Sequence, residues 1–318
     1  MNFNFFAAFQ HTLCFAFSRK RNGHATLLIK SSSFTFLFWG FCCLISITAC
    51  KEVGPNINLG NKNKALADTT YIENPIQTPE EKNVVMEEFT GVQCVNCPAG
   101  HQIIKTLQST FGERLVVVSY HTDFLGEPFA FTTEDLRTDA AKQVQDYLVF
   151  DGYKPAAAID RFPFNPSQTS LLYSRNTWNT RVQQEMGKTS PLNILLTTVI
   201  DTNIRKITTT VELHYTSTVA EQQKVTMLLV ENNIVQPQLN TGNVIDTFYN
   251  HSDIQRVFIT NPLGDDIATT TEAGRVVRKI YETSLPQNIK LNNTKLIAFV
   301  HQYVGSKEIL QGKEIALK

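Results

Sequence analysis

From Val84 to Tyr120 the chain passes through an apolar stretch, a Cys-x-x-Cys loop, a helix-periodic stretch and a second apolar stretch, and that order leaves few folds open. Val84-Val85-Met86-Glu87-Glu88-Phe89 reads as a short strand, and the loop Thr90 to Pro98 then carries Cys94 and Cys97. Ile103, Ile104, Leu107 and Phe111 recur at helical spacing, with Gly112 as a stop. Leu115-Val116-Val117-Val118-Ser119-Tyr120 is a continuous β-branched run, the pattern of a strand buried on both faces. Strand, helix and strand at this spacing form a βαβ unit, which requires a parallel sheet. The cysteines fall at the first turn of the helix, where unpaired backbone N–H groups and the positive end of the dipole favour the thiolate.

Helical periodicity returns from about Thr133 to Leu148, through Ala140, Ala141, Val144, Tyr147 and Leu148. Asp151-Gly152-Tyr153-Lys154-Pro155 leads into a strand at Ala156–Asp160, and a last helix around Leu171–Met186 contains Trp178. From Pro191 the period changes to two: Ile207, Val211, Leu213 and Tyr215 share a face, with Glu212 and His214 opposite. Similar strands are expected over 192–200, 224–230, 275–283, 296–303 and 308–317. Such a set of strands without a helix points to an antiparallel β-sandwich. The expected fold class is α/β plus all-β, with an α/β domain over 84–190 and a β-sandwich over 191–318.

The chain has 318 residues, 42% of them hydrophobic, and 29 basic against 29 acidic side chains, enough to bury a substantial core. Residues 1–50 hold Arg19, Lys20, Arg21 and Lys30 and no acid, so the rest is mildly acidic and has no basic stripe for nucleic acid. The uncharged stretch Ser31 to Cys50 reads as a signal-peptide core ending in Ile47-Thr48-Ala49-Cys50, which resembles the bacterial lipobox. On that reading residues 1–50 are the signal, Cys50 carries the lipid, palmitate included, and the lipid joins the chain to the membrane. The alternative is a transmembrane anchor, which three serines and Gly40 weaken. Residues 51–83, rich in Asn, Lys, Pro and Gly, read as a flexible tether. Cys14, Cys42 and Cys43 leave with the signal, so Cys94 and Cys97 have only each other and form a disulfide in an oxidising compartment. His101, one turn beyond Cys97, invites a metal reading with the two thiols, but a fourth ligand is absent and no haem motif is present. No metal and no cofactor is expected. His121, just past a strand end, is a further candidate neighbour of the site that sequence does not place.

Residues 84–186 resemble the thioredoxin superfamily on three features: Cys94-x-x-Cys97 between a strand and a helix, Glu88 six residues ahead of Cys94, and Pro155 at the head of a strand. The resemblance implies that Glu88 is a buried acid exchanging protons with the inner thiol and that Pro155 is a cis-proline touching a bound partner. Cys94 would be the exposed nucleophile and Cys97 would resolve the mixed disulfide. Gln93 stands where tryptophan is usual, Val95-Asn96 replaces Gly-Pro, and Ala156 follows Pro155 where threonine is common. Redox-active and purely structural roles for the pair both stay open.

The chain as a whole resembles the outer membrane protein 28 related lipoproteins of Bacteroidetes. The matching residues are the lipobox at Cys50, the block Met86-Glu87-Glu88-Phe89-Thr90-Gly91-x-x-Cys94-x-x-Cys97-Pro98-Ala99, and more loosely Tyr249-x-His251-x-x-x-x-Arg256. Tyr249, His251 and Arg256 are equally consistent with packing at a strand turn. What the resemblance implies is an outer-membrane, lipid-anchored protein facing the periplasm or the cell surface, acting in adhesion or reception with a protein partner. The competing expectation is a lipid-tethered thiol–disulfide oxidoreductase worked by Cys94, Cys97, Glu88 and Pro155.

Overall fold

The computed structural model describes residues 65–267 and 271–317, so the signal segment, Cys50 and the first part of the tether lie outside the described residues. Strand β1 (Ala67–Ile72) precedes β2 (Val84–Thr90), helix α1 (Cys97–Phe111), β3 (Leu115–His121), helix α2 (Asp139–Tyr147), β4 (Ala156–Ile159), β5 (Tyr173–Ser174) and helix α3 (Trp178–Met186). There follow β6 (Leu192–Asp201), β7 (Lys206–Tyr215), β8 (Gln223–Glu231), β9 (Ile234–Val235), β10 (Gln238–Asn240), β11 (Val244–Asp246) and β12 (Asn250–His251). The chain ends with β13 (Ile254–Phe258), β14 (Asp265–Asp266), β15 (Arg275–Ser284), β16 (Thr294–Gln302) and β17 (Ile309–Ala316).

The β2–α1–β3 unit is the expected parallel βαβ, with Val84 paired to Leu115 and Thr90 to His121. Strand β4 runs antiparallel to β2 on its other side and β5 antiparallel to β4, giving the order β3-β2-β4-β5. With the Lys154–Pro155 peptide cis at the head of β4, this is a thioredoxin-like unit. Its β2 is buried throughout because side chains alternate between two cores. Val84 and Met86 meet α1 and α3 through Ile104, Leu107, Trp178 and Val182. Val85 and Phe89 face the opposite core with Val116, Val118, Tyr120 and α2.

Strands β6, β7, β15 and β1 form an antiparallel sheet. One face of it, carrying Ile194, Leu196, Val211, Leu213 and Tyr215, packs on Val225, Met227, Leu229, Leu296 and Ala298 of β8 and β16, which closes the expected antiparallel β-sandwich. The intervening residues of β8 and β16, Leu228, Val230, Ile297 and Phe299, enter the core behind β2 instead. These two strands therefore serve two cores.

A single sheet in the order β17-β16-β8-β13-β3-β2-β4-β5 runs across residue 190. The join is short: Ile254 of β13 pairs in parallel with Ser119 of β3, and the Ser119 N–H donates to the Asp253 carbonyl at 2.7 Å. Sheet curvature then brings β17 back onto β2, where Asn83 Nδ2 donates to the Gly312 carbonyl at 2.8 Å and the Ile309 N–H to the Asp160 carbonyl at 2.8 Å. Between the two lies a buried ion pair, Arg161 donating from Nε and Nη2 to Glu87 at 2.6 and 2.8 Å. The Phe299 ring stands 5.0 Å from that guanidinium.

Three expectations are corrected. The tether over 51–83 is not free in its second part: Thr69-Thr70-Tyr71-Ile72 is a β-prone run that pairs with the edge of β15. Helix α2 starts at Asp139 and not near Thr133, because Thr138 caps it, its side chain accepting from the Ala141 N–H. Helix α3 starts at Trp178 and not near Leu171, since Leu171 and Leu172 are core anchors of an irregular segment leading into β5.

Candidate functional site

Cys94 and Cys97 are joined as a disulfide at the start of α1, with Pro98 in the first helical turn. The loop is tight: the Cys94 N–H donates to the Gly91 carbonyl at 3.0 Å and the Cys97 N–H to the Cys94 carbonyl at 3.1 Å. Gly91 is required by space, because a Cβ there would overlap the Leu125 carbonyl of the loop that receives the Gln93 N–H. Pro155 approaches the same helix, its Cγ 2.9 Å from where a Cβ on Gly100 would stand.

Glu88 is fully buried on the α1 face of β2, where Ser119 Oγ donates to its Oε2 at 2.9 Å. Burial pushes its carboxyl up to about 8, with Asp253 adding to the shift and the Ser119 bond opposing it, so it is protonated at neutral pH. Its Oε1 has no hydrogen-bond partner and lies 3.5 Å from His101 Nε2. His101 engages both ring nitrogens, Nε2 with Thr90 Oγ1 at 2.9 Å and Nδ1 with Tyr249 Oη at 2.7 Å. Burial holds its imidazole down at about 3, helped by His251 and Lys105. The His251 ring stands 5.3 Å from that of His121 and 6.4 Å from that of His101. Burial keeps His121 neutral as well, with neither ring nitrogen hydrogen-bonded. Among the described residues no group of three His, Cys, Asp or Glu side chains is arranged to hold a metal ion. Beside Pro155, burial lowers Lys154 to about 8 while Asp123 resists the shift, and its Nζ donates to the Thr122 carbonyl at 2.5 Å.

Cys94, expected as the exposed thiol, is only 2% exposed, and Cys97 is fully buried. An excursion between β8 and β13 is bonded to the same loop. Residues 234–251 form one bent hairpin, β9 against β12 and β10 against β11, reaching over the cysteine loop. The Leu239 N–H donates to the Val92 carbonyl at 2.7 Å, and Gln238 Nε2 to the carbonyls of Cys94 at 3.1 Å and Gly91 at 3.3 Å. Tyr249 and His251 ride on this arm, so they complete the site rather than packing at a remote turn. Their signal was the Tyr-x-His pair, which sequence alone had no means of placing beside Glu88. Arg256 is elsewhere, paired with Glu134 and with Glu231 at 3.2 Å.

Fold and site together define a thioredoxin-like unit fused through a shared sheet to a β-sandwich, with an arm bonded to its cysteine loop. The family model described as outer membrane protein Omp28 matches residues 141–318, more than half of the chain, and the chain belongs to that family of outer-membrane-associated proteins. The match includes the arm with Tyr249 and His251 and begins after the cysteine block. Among solved structures, the chain is similar to HBP35 of Porphyromonas gingivalis at 18% identity and a TM-score of 0.58, covering 76% of this chain and 77% of that one, which shows a common fold. A domain of the outer membrane lipoprotein Omp28 from Porphyromonas gingivalis aligns over 41% of this chain and 89% of that one at 16% identity, with a TM-score of 0.28 too low to carry an argument. No curated protein matches the chain in sequence. No helix among the described residues is long and apolar enough to cross a membrane.

Proposed function

We propose that the protein is a lipid-anchored binding or adhesion protein of the outer membrane, held through Cys50, in which the Cys94–Cys97 disulfide is sealed in the resting state. The observation that carries this reading is the burial of Cys94, which denies a partner's thiol a line of attack. The partner is a protein engaged by the 191–318 sandwich, with the thioredoxin-like unit as its scaffold. A redox titration of the mature chain tests it: the pair is expected below roughly −300 mV, in the range of structural bonds. Cys94→Ser is expected to leave partner binding intact. A potential between about −120 and −270 mV with turnover of a disulfide peptide would overturn it.

A thiol–disulfide oxidoreductase is the second reading, favoured by the protonated Glu88 on the strand that leads into the cysteine loop. It requires Cys97→Ser to trap a partner through Cys94. For the anchor, mass spectrometry of the mature N-terminus is expected to find acylated Cys50; residues 31–49 retained there would restore the transmembrane alternative.

A further inference from the structure

We propose that the outer half of the arm is a lid on the cysteine loop, which must lift before any thiol reaches Cys94. The inference concerns access and stands apart from the choice between binding and exchange.

The arm divides into a fixed base and an unsupported end. At the base, Ile234 is buried with Val92, Leu136 and Ile254, and His251 is enclosed among the site's rings. Beyond Pro237, every residue from Thr241 to Phe248 is exposed, including Val244 at 62% and Phe248 at 82%. This end is tied down by the Leu239 backbone bond and the Gln238 carboxamide, and on its return by Tyr249 Oη against His101 Nδ1 at 2.7 Å. That carboxamide is fully buried, yet its Oε1 has no partner, so the plug is polar and incompletely satisfied. Lifting it releases the Val92 carbonyl, whereas the carbonyls of Gly91 and Cys94 keep the bonds they accept from the Cys94 and Cys97 N–H groups.

Reduction by dithiothreitol reads the opening directly. One thiolate of the reagent attacks Cys94 Sγ, the Cys94–Cys97 bond breaks, and Cys97 leaves as thiolate and takes up a proton. The reagent's second thiol then closes its own ring disulfide and releases Cys94, so two electrons and two protons pass to the pair. The experiment compares the full mature chain with its Gln238→Ala variant, with thiols quenched and counted by mass. Gln238→Ala is expected to be reduced about tenfold faster, the size of effect that follows from losing these side-chain hydrogen bonds, while a cooperative melt shows that the variant is folded. Hydrogen exchange on the wild-type chain gives a second reading that needs no variant: the Leu239 amide is expected to exchange well before the amides of β16. Equal reduction rates in the folded variant and the wild type, or a Leu239 amide released only together with β16, would overturn the lid.

Discussion

Glu88 is the residue whose protonation the fold most constrains. Its folded pKa of about 8 lies above the ordinary 4.5, so the folded state holds a proton that the unfolded chain has released across that window. Stability from this group is therefore present below about pH 4.5 and falls as pH rises toward 8, by about 1.4 kcal/mol per pH unit. His101 and His251, held near 3 and 4, act in the opposite sense only below their ordinary value of 6.5. The expected outcome for Glu88→Gln is a chain whose stability relative to wild type grows as pH rises from 6.5 to 8. Denaturant melts at several pH values check it, and a pH-independent difference would contradict the assignment. At this scale the sequence was half legible. Glu88, Cys94, Cys97 and Pro155 stand at fixed offsets from a strand and a helix start, so spacing located them. Tyr249, His251 and Gln238 arrive from more than a hundred residues away through strand pairing, which leaves no local pattern.

Among elements, the cysteine loop depends on close approach. Gly91→Ala places a methyl against the Leu125 carbonyl, which is backbone and has no rotamer to yield. A loss of about 1–3 kcal/mol is expected, measurable as a lowered melting temperature. Long strands were legible because a ten-residue alternation is hard to mistake: β7 and β15 are each 10 residues and fall within one residue of the expected spans. The two- and three-residue strands of the arm carry too little periodicity to register, and β1 sat in a segment whose Asn and Pro content read as tether. Helix starts were set by capping at Thr138 and by irregular core anchors, neither of which apolar spacing reports.

For the whole molecule, the two halves share a sheet and a core, Phe299 of one stands over the Arg161 guanidinium of the other, and the described residues fall within one compact unit. Arg161→Ala leaves the buried Glu87 carboxyl without its guanidinium partner, so a loss of about 3–5 kcal/mol is expected, whereas an equal loss is not expected from exposed pairs such as Lys142–Asp146. Chemical denaturation of both variants compares them. A fragment of residues 84–190 lacks β13 on the edge of β3 and the Phe299 and Leu228 wall of its core, and it is expected to give no cooperative melt when expressed alone. Gly312→Ala drives a methyl into Val85 where β17 crosses β2, and it is expected to lower the single unfolding transition of the full chain rather than split it.

The arm leaves the central sheet at Glu231 and returns at Ile254, two residues already paired with each other as neighbours in β8 and β13. A hairpin inserted at such a point lengthens or shortens without altering any register beneath it. Descent with change in this segment alone would thus retune how open the cysteine pair is while every core strand stays in place, making exposure of the disulfide a trait free to drift independently of the fold.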